Sequence, residues 1–270
     1  MAPLAEGRSL VLKTRDKIAL ASIASRFICG SRRLMGLAAV VETTRAGHRW
    51  QLDLREGIDL AIYLLGHFEK RSFQQYSRYV KDGSIALDIG ANVGAHTLPL
   101  AGLVGPRGQV VAFEPTRYAH SKLCANLSLN PVLQARVRPE QLMLGASDTA
   151  TIPTAVPSSW PLSKEPSRHA LHGGVARSTE GARVCTLDSY LARHGIGRVD
   201  FVKLDVDGHE CSVLDGATHM LTQLKPVILF EIAPYALEEN GASLTGFLDR
   251  FRQHGYALVR EDGKDRKSVV

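Results

Sequence analysis

Short apolar runs alternate with longer amphipathic stretches through most of this chain. The apolar runs are typical of buried strands and occur at 85–89, 109–113, about 136–144, 201–205 and 227–231. Apolar positions at helical spacing predict helices at 95–103, 116–129, 187–194, 210–223 and 243–254. This alternation predicts a doubly wound α/β fold, in which helices cover both faces of a mostly parallel sheet.

The N-terminal part of the chain has a different pattern. Alternating residues over Val40–Leu54 predict a hairpin, and Ile58–Val80 predicts a helix broken at Gly66. Before them, Ile18–Ile28 has the spacing of an amphipathic helix. We interpret that helix as packing on its own domain, with a partner protein or a membrane surface as the alternatives.

These patterns divide the chain into an N-terminal helical and hairpin extension, residues 1–80, and a main domain, residues 81–270. Within the main domain, residues 149–184 are rich in Pro, Ser and Gly and interrupt the alternation of strands and helices. Long irregular insertions are often functional loops. We predict a hairpin or lid on the substrate side, with a surface excursion of no function as the alternative.

Composition places few limits on function. At 270 residues, with 44% hydrophobic and 22% charged residues, the chain has the composition of a globular protein. The net charge of +6 permits a nucleic acid or an anionic substrate, although a scattered basic surface explains it more simply. Four cysteines without C-x-x-C spacing indicate a reduced, cytoplasmic protein. Because no run of about 20 apolar residues is present, we predict no transmembrane segment.

The segment Ile85-Ala-Leu-Asp88-Ile-Gly90-Ala-Asn92-Val-Gly94 joins a predicted strand to a glycine-spaced turn that opens a helix. Twenty residues later, Glu114 closes the second predicted strand. This pattern is typical of a βαβ nucleotide site, where glycines admit the ligand and the second acid accepts hydrogen bonds from ribose hydroxyls. The D-x-G-x-x-x-G spacing favours S-adenosylmethionine over a dinucleotide, because no pyrophosphate must lie against the turn.

A second segment, Lys203-Leu-Asp205-Val-Asp207-Gly208-His209-Glu210, places three acids and a histidine at the end of a predicted buried strand. We expect these side chains at the edge of the cofactor pocket. Asp207 and Glu210 also fit a capping box at the start of a helix. Asp205, Asp207, His209 and Glu231 together offer metal ligands, but no tight ligand spacing is visible and we assign no metal.

Four stretches of the chain resemble the FkbM-type family of S-adenosylmethionine-dependent methyltransferases. They are Gly66-His-Phe-Glu69, Leu87-Asp-Ile-Gly-Ala-Asn-Val-Gly94, Glu114-Pro115 and Lys203-Leu-Asp-Val-Asp-Gly-His-Glu210. The resemblance covers about residues 45–260. Asp207 stands where the family usually has Glu, which keeps the charge but shortens its reach by one methylene.

The resemblance implies a class I methyltransferase fold, which is Rossmann-like, with S-adenosylmethionine as the cofactor. It assigns cofactor-binding roles by position: the methionine part to Asp88, Gly90, Asn92 and Gly94, the ribose to Glu114, and the adenine to Ser147 and Asp148. Members of the family typically methylate hydroxyl groups of sugars, polyketides and other secondary metabolites. The expected acceptor is therefore a hydroxyl of a sugar, glycan or secondary metabolite.

Methyl transfer to an alcohol is helped by a base, because the hydroxyl proton must leave as the new bond forms. His209 is the predicted catalytic base, since its pKa lies near neutrality, and Asp205 is the second candidate. Surface exposure of His209 is the alternative for that residue. Neither the acceptor nor the oligomeric state has a motif in the sequence.

Two other functional classes are alternatives. The first is an RNA or protein methyltransferase or binding protein that uses basic patches such as Arg32-Arg33 and Lys264–Lys267. Those patches lack interleaved aromatic residues, and we predict that nucleic acid is not the partner. The second is a nicotinamide-dependent oxidoreductase, which the turn spacing disfavours. Tyr118 and Lys122 have the Tyr-x-x-x-Lys spacing but lie on the wrong helix for hydride transfer.

Overall fold

A computed structural model describes residues 14–163, 166, 168–169 and 173–259 of the chain. The strands are β1 (Val40–Arg45), β2 (His48–Asp53), β3 (Ile85–Ile89), β4 (Gln109–Phe113), β5 (Val137–Glu140), β6 (Leu142–Leu144), β7 (Ala155–Ser159), β8 (Val175–Ser178), β9 (Arg183–Cys185), β10 (Phe201–Leu204) and β11 (Val227–Phe230). The α-helices are α1 (Thr14–Leu34), α2 (Gly57–Leu65), α3 (Lys70–Tyr79), α4 (Thr97–Leu103), α5 (Arg117–Ser128), α6 (Pro131–Gln134), α7 (Leu187–Arg193), α8 (Glu210–Asp215), α9 (Pro234–Glu239) and α10 (Leu244–Gln253). A π-helical turn spans Met220–Leu224.

Five parallel strands form the central sheet, in the order β11-β10-β3-β4-β5. From β3 the chain continues outward through β4 to β5, and it later returns to the other side of β3 with β10 and β11. The strand order therefore reverses between β3 and β10. Ligands of such sheets bind beyond the carboxyl ends of the strands at this reversal. The predicted α/β fold is confirmed.

Residues that alternate along each strand divide the core into two layers. On β3, Ala86 faces the first cluster, with the hairpin, α2 and α4. Leu87 and Ile89 face the second cluster, with α7, α8 and α10. Since side chains alternate across a strand, Asp88 lies on the same face as Ala86. Lys203 lies directly beside Asp88 on that face, in the register of β10 with β3.

The predicted hairpin is present as β1 and β2, which pair antiparallel. Trp50, Leu52 and Leu54 are buried on one face, as the alternation predicts. The chain then enters α2, which ends at Gly66 in a left-handed conformation (φ 82°), and continues as α3. Asn126 on α5 accepts a hydrogen bond from the backbone of β2 (2.8 Å). The N-terminal extension is thereby tied to the main domain.

Two predicted elements are divided in the structure. The strand predicted at about 136–144 becomes β5, in the central sheet, and β6, which pairs with β9 in a separate two-stranded sheet. The helix predicted at 210–223 ends at Asp215 with Gly216 as its C-cap, and a side chain at position 216 would overlap the backbone of Gly145. The π-helical turn follows after that break. The helix α9 was not predicted.

The predicted insert contains an antiparallel pair, β7 and β8. Both strands contact α5, which directly follows β4. The insert therefore lies beside the region where β4 ends. Residues 164–165, 167 and 170–172 of the insert lie outside the described part of the chain, as do residues 1–13 and the basic patch Lys264–Lys267.

Candidate active site

The strand β3 carries a buried carboxylate near its carboxyl end. Asp88 is fully buried, and its Oδ2 accepts a hydrogen bond from the hydroxyl of Thr97 (2.6 Å). Its Oδ1 is also buried and has no hydrogen-bond partner among the residues that the structure describes. A buried acceptor without a donor is costly. Asp88 is thus able to receive a donor from a ligand at the head of the loop.

The structure shows why two positions of the loop after β3 require glycine, which the sequence alone did not reveal. Gly90 has a φ of 86°, and a side chain there would overlap the backbone carbonyl of Asp205. Gly94 has a φ of 92°, and its added carbon would lie 2.9 Å from Leu123 on α5. These glycines allow the loop, residues 90–94 (the glycine loop), to pack against the end of β10 and against α5.

Glu114, which follows β4, is held from two sides. Its Oε2 accepts a hydrogen bond from the backbone N–H of Asn92 (3.0 Å), and its Oε1 accepts from the backbone N–H (2.9 Å) and hydroxyl (2.6 Å) of Thr116. Burial raises the pKa of Glu114, and these hydrogen bonds oppose the rise. An ionised carboxylate offers about four acceptor positions. Capacity therefore remains for a ligand hydroxyl.

The insert reaches the glycine loop at Ser158 on β7. The side-chain amide of Asn92 donates to the backbone carbonyl of Ser158 (3.1 Å), and the Ser158 hydroxyl lies 2.9 Å from that of Thr116. Asn92 itself has a φ of 47°, an uncommon conformation for a residue other than glycine. The loop, Glu114 and the insert thus form one hydrogen-bonded unit.

Ser147 and Asp148 follow β6 and are exposed. The Asp148 carboxylate accepts hydrogen bonds from the backbone N–H of Thr186 (2.7 Å) and the hydroxyl of Ser189 (2.7 Å) at the start of α7. The Ser147 hydroxyl lies 3.5 Å from that of Thr149. The Asp148 carboxylate therefore links the end of β6 to the start of α7.

Near the end of β10, a buried lysine is surrounded by acids. The Lys203 ammonium donates to Oδ2 of Asp205 (2.9 Å) and is only 4% exposed. Burial alone would lower the pKa of Lys203, but the carboxylates of Asp205 and Asp88 raise it above its ordinary value. The lysine therefore stays charged and offsets the negative charges of Asp88 on β3 and Asp205 after β10.

Four carboxylates gather near this lysine: Glu69, Asp205, Asp207 and Glu231, here termed the carboxylate edge. Burial and the carboxylates of Glu69 and Asp205 raise the pKa of Glu231 to about 7, and Glu231 shares a hydrogen bond with Glu69. Burial and the carboxylates of Asp205 and Glu210 raise the pKa of Asp207 to about 7. Close carboxylates disfavour simultaneous ionisation, so this edge holds protons near neutral pH.

A buried, neutral histidine contacts Glu69 of the carboxylate edge. The His96 Nε2 lies 3.3 Å from Oε2 of Glu69, and its Nδ1 lies 3.5 Å from the Tyr76 hydroxyl. Burial lowers the pKa of His96 to about 3. Glu69 and Asp207 both have left-handed backbones (φ 50° and 48°). Uncommon backbone conformations are often concentrated at functional sites.

The predicted capping box does not form in the turn after β10, although Glu210 does bond the backbone of that turn. Glu210 accepts hydrogen bonds from the backbone N–H groups of Val206 (3.1 Å) and Gly208 (3.2 Å). The cap position of α8 is His209 rather than Asp207, and it makes no side-chain cap. Burial lowers the pKa of His209, so its imidazole is neutral at pH 7. Within the described ranges, no group of three or more His, Cys, Asp or Glu side chains is arranged to hold a metal ion.

Comparison with known families gives the decisive observation. The family model of the methyltransferase FkbM domain matches residues 88–258, which include the glycine loop, Glu114 and the turn after β10. The chain belongs to the FkbM methyltransferase family. It is therefore an S-adenosylmethionine-dependent methyltransferase with a Rossmann-like fold.

Several known proteins are similar to this FkbM methyltransferase. Hexuronic acid methyltransferase AglP of Haloferax volcanii is 29% identical over 225 residues, which cover 81% of this chain and 80% of AglP. Among solved structures, precorrin-6y C5,15-methyltransferase of Geobacter metallireducens has a TM-score of 0.40 at 14% identity, over 70% of this chain and 76% of that one. Aeropyrum pernix fibrillarin with bound S-adenosyl-L-methionine has a TM-score of 0.37 at 15% identity, over 69% of this chain and 66% of that one.

The residues of this FkbM methyltransferase fit S-adenosylmethionine. The cofactor carries an ammonium group and ribose hydroxyls, which are donors, and the structure offers the free Oδ1 of Asp88 and the spare capacity of Glu114. When bound, it supplies a methyl group on an activated sulfonium leaving group.

Sequence reasoning did not assign a role to Glu69, His96 or Lys203. Glu69 and Lys203 lie within the motifs that carry the family resemblance, so a signal existed for both. His96 follows the glycine loop, but no pattern in the sequence indicates which residues it contacts. The three residues come from separate parts of the chain and meet only because α3, the glycine loop and β10 converge at the sheet edge.

Proposed function

We propose that this FkbM methyltransferase transfers the methyl group of S-adenosylmethionine to a hydroxyl of a sugar or glycan. The observation that supports the proposal best is the carboxylate edge, which lies beside the glycine loop. Carboxylates accept hydrogen bonds from hydroxyl donors, and a sugar presents several hydroxyls in a compact shape. The similarity to a hexuronic acid methyltransferase agrees with a carbohydrate acceptor.

In this proposal the cofactor lies along the carboxyl ends of β3, β4 and β6. Asp88, Gly90, Asn92 and Gly94 hold its methionine part, and Glu114 binds its ribose. The adenine lies near Ser147 and Asp148. The free buried oxygen of Asp88 supports the first assignment, and the spare acceptor capacity of Glu114 supports the second.

Three residues are candidates for the base. His209 is neutral at pH 7 and so has a free nitrogen able to accept a proton. Asp205 lies beside the glycine loop, and its Oδ2 accepts a hydrogen bond from the Lys203 ammonium. Glu231 has a pKa of about 7, which suits proton transfer at neutral pH. In the reaction, the hydroxyl oxygen bonds to the methyl carbon, the carbon–sulfur bond breaks, and the hydroxyl proton passes to the base.

The charge of the site favours a neutral acceptor. A hexuronate would bring a further carboxylate towards Glu69, Asp205, Asp207 and Glu231, where Lys203 is already paired with Asp205. Like charges in a partly buried site repel. We therefore propose a neutral sugar or glycan hydroxyl as the methyl acceptor in preference to a uronic acid.

The test is an acceptor screen with S-adenosylmethionine labelled on its methyl carbon. Neutral sugars and glycans, hexuronic acids, RNA and an unfolded protein are incubated separately with the enzyme, and products are analysed by NMR. We expect a methyl ether signal on a neutral sugar, and a weaker signal with the Glu114→Gln variant at the same concentration of S-adenosylmethionine. Methylation of RNA or protein alone, or of a uronic acid carboxyl group, would contradict the proposal.

A further inference from the structure

The helix α1 packs on the domain with its less apolar face. Ser22 and Ser25 are buried, and the hydroxyl of Ser25 donates to the backbone carbonyl of Leu54 (2.7 Å). The apolar residues beside them that contact the core are mostly small: Ala21, Ala24, Ile28 and Cys29. The amphipathic helix predicted from the sequence therefore does pack on its own domain, through small and polar side chains.

The opposite face of α1 carries larger apolar side chains in solvent. Leu20, Ile23, Phe27 and Leu34, here termed the outer stripe, are 54%, 63%, 75% and 90% exposed. Their spacing of three, four and seven residues places them on one side of the helix. A surface helix of a globular protein normally has the reverse arrangement. Met35 and Leu37 continue the exposed apolar surface beyond the helix end.

Positive charge surrounds the outer stripe. Residues 14–40 contain five basic residues and one acidic residue, which is a surplus of four in a chain of net charge +6. Arg26 and Arg33 are exposed, and their side chains make no hydrogen bond or ion pair with any residue in the described part of the chain. A second copy docked on this face would bring two such basic surfaces together, which opposes self-association through it.

A cavity of about 370 Å³ opens beside the stripe. It is lined by Ser25, Arg26, Cys29, Arg55, Leu162 and Ser163, so two arginines border it. Arg55 is held by Asp53 through two hydrogen bonds (2.8 and 2.7 Å), whereas Arg26 remains available to an anion. The same helix thus presents an apolar surface and a recess suited to an anionic group.

We propose that α1 lies in the headgroup region of an anionic lipid bilayer, with the outer stripe directed into the membrane. Apolar side chains flanked by arginines are characteristic of helices that lie in a membrane interface. Acidic headgroups complement the basic surplus, and the recess at Arg26 accepts a headgroup phosphate. No helix within the described ranges is long and apolar enough to cross a membrane, so the contact is a surface contact.

The experiment measures sedimentation of the full-length protein with vesicles of equimolar phosphatidylglycerol and phosphatidylcholine, and with vesicles of phosphatidylcholine alone. We expect binding to the anionic vesicles that weakens as salt is added. The double variant Ile23→Ser/Phe27→Ser is expected to bind at least about tenfold more weakly. The double variant Arg26→Gln/Arg33→Gln is expected to lose about tenfold on anionic vesicles.

The matched control is Val132→Ser on α6, which removes an apolar side chain of similar exposure (67%) outside the stripe. It should bind vesicles as the wild type does. S-adenosylmethionine titration and a thermal melt of each variant show whether the fold is intact. Failure of the wild type to bind anionic vesicles would overturn the proposal. A dimer in light scattering that Ile23→Ser/Phe27→Ser abolishes, without vesicle binding, would assign the stripe to a second copy and also overturn it.

Discussion

The glycine loop with Glu114 and the carboxylate edge lie side by side at one edge of the central sheet, yet their acids are held in opposite ways. Glu114 accepts three hydrogen bonds from Asn92 and Thr116 and has a fixed position. Glu231 instead shares a hydrogen bond with another carboxyl group, that of Glu69. The first arrangement fixes an acceptor for a ligand, and the second retains a proton near neutral pH. In the proposed function, this difference separates binding of the cofactor from transfer of the acceptor's proton.

The two regions meet at Gly90, where the largest effect on stability is expected. In Gly90→Ala, the new methyl group overlaps the carbonyl of Asp205 and the backbone remains at a positive φ. We expect a loss of about 3–5 kcal/mol in the free energy of unfolding, measured by chemical denaturation. Gly197→Ala is the control, because nothing lies within 4 Å of its added carbon. Equal losses in both variants would show that the loop does not pack as described.

The positive charge of Lys203 offsets the repulsion among the nearby carboxylates. In Lys203→Met, the carboxylates of Asp205 and Asp88 lose their buried counter-ion. Removing one partner of a buried ion pair costs about 3 kcal/mol or more, and we expect a loss of that size in denaturation. Lys81→Met, at an exposed lysine, should change stability little. If the two variants are equally stable, Lys203 does not balance the acids.

The contrast between these regions also explains how much could be predicted from the sequence. Asp88 and Gly90 lie at the end of β3, and Glu114 directly follows the next strand, β4, so their meeting at one sheet edge was predictable. The contact of Glu69 with His96 depends on how α3 docks on the sheet, which no local pattern encodes. For the same reason the sequence did not predict that Gly90 packs against Asp205, because that contact joins residues on opposite sides of the strand reversal.

A smaller and more specific effect is expected in the pH dependence of catalysis. If Glu231 is the base, it must be ionised, so kcat/KM should rise with pH through about 7. Glu231→Gln should remove that inflection and lower the rate above it. Asp207→Asn is the control, because it removes another carboxyl group whose pKa is raised to about 7. The inflection should remain in that variant. An inflection that persists in Glu231→Gln and shifts in His209→Ala would assign the base to His209.

A further effect is expected on the pH dependence of stability. The folded pKa of Asp207, about 7, lies above its ordinary value of 3.8, so the folded protein keeps a proton that the unfolded chain releases. Stability from this group is full below the ordinary value and is lost as pH rises towards about 7. The thermal midpoint should therefore fall less between these pH values in Asp207→Asn than in the wild type. An unchanged slope would show that Asp207 is not crowded by its neighbours.

The division between the two regions is tested most directly by calorimetric titration of S-adenosylmethionine into Glu114→Gln and Glu231→Gln. The amide at position 114 must direct its NH₂ group at a backbone N–H, because both oxygens of Glu114 accept from such groups. We predict that affinity falls about ten- to hundredfold in Glu114→Gln. In Glu231→Gln it should stay within about twofold of the wild type, because no charge-assisted bond to the cofactor is lost there. Equal losses in the two variants, or a loss confined to Glu231→Gln, would contradict the account.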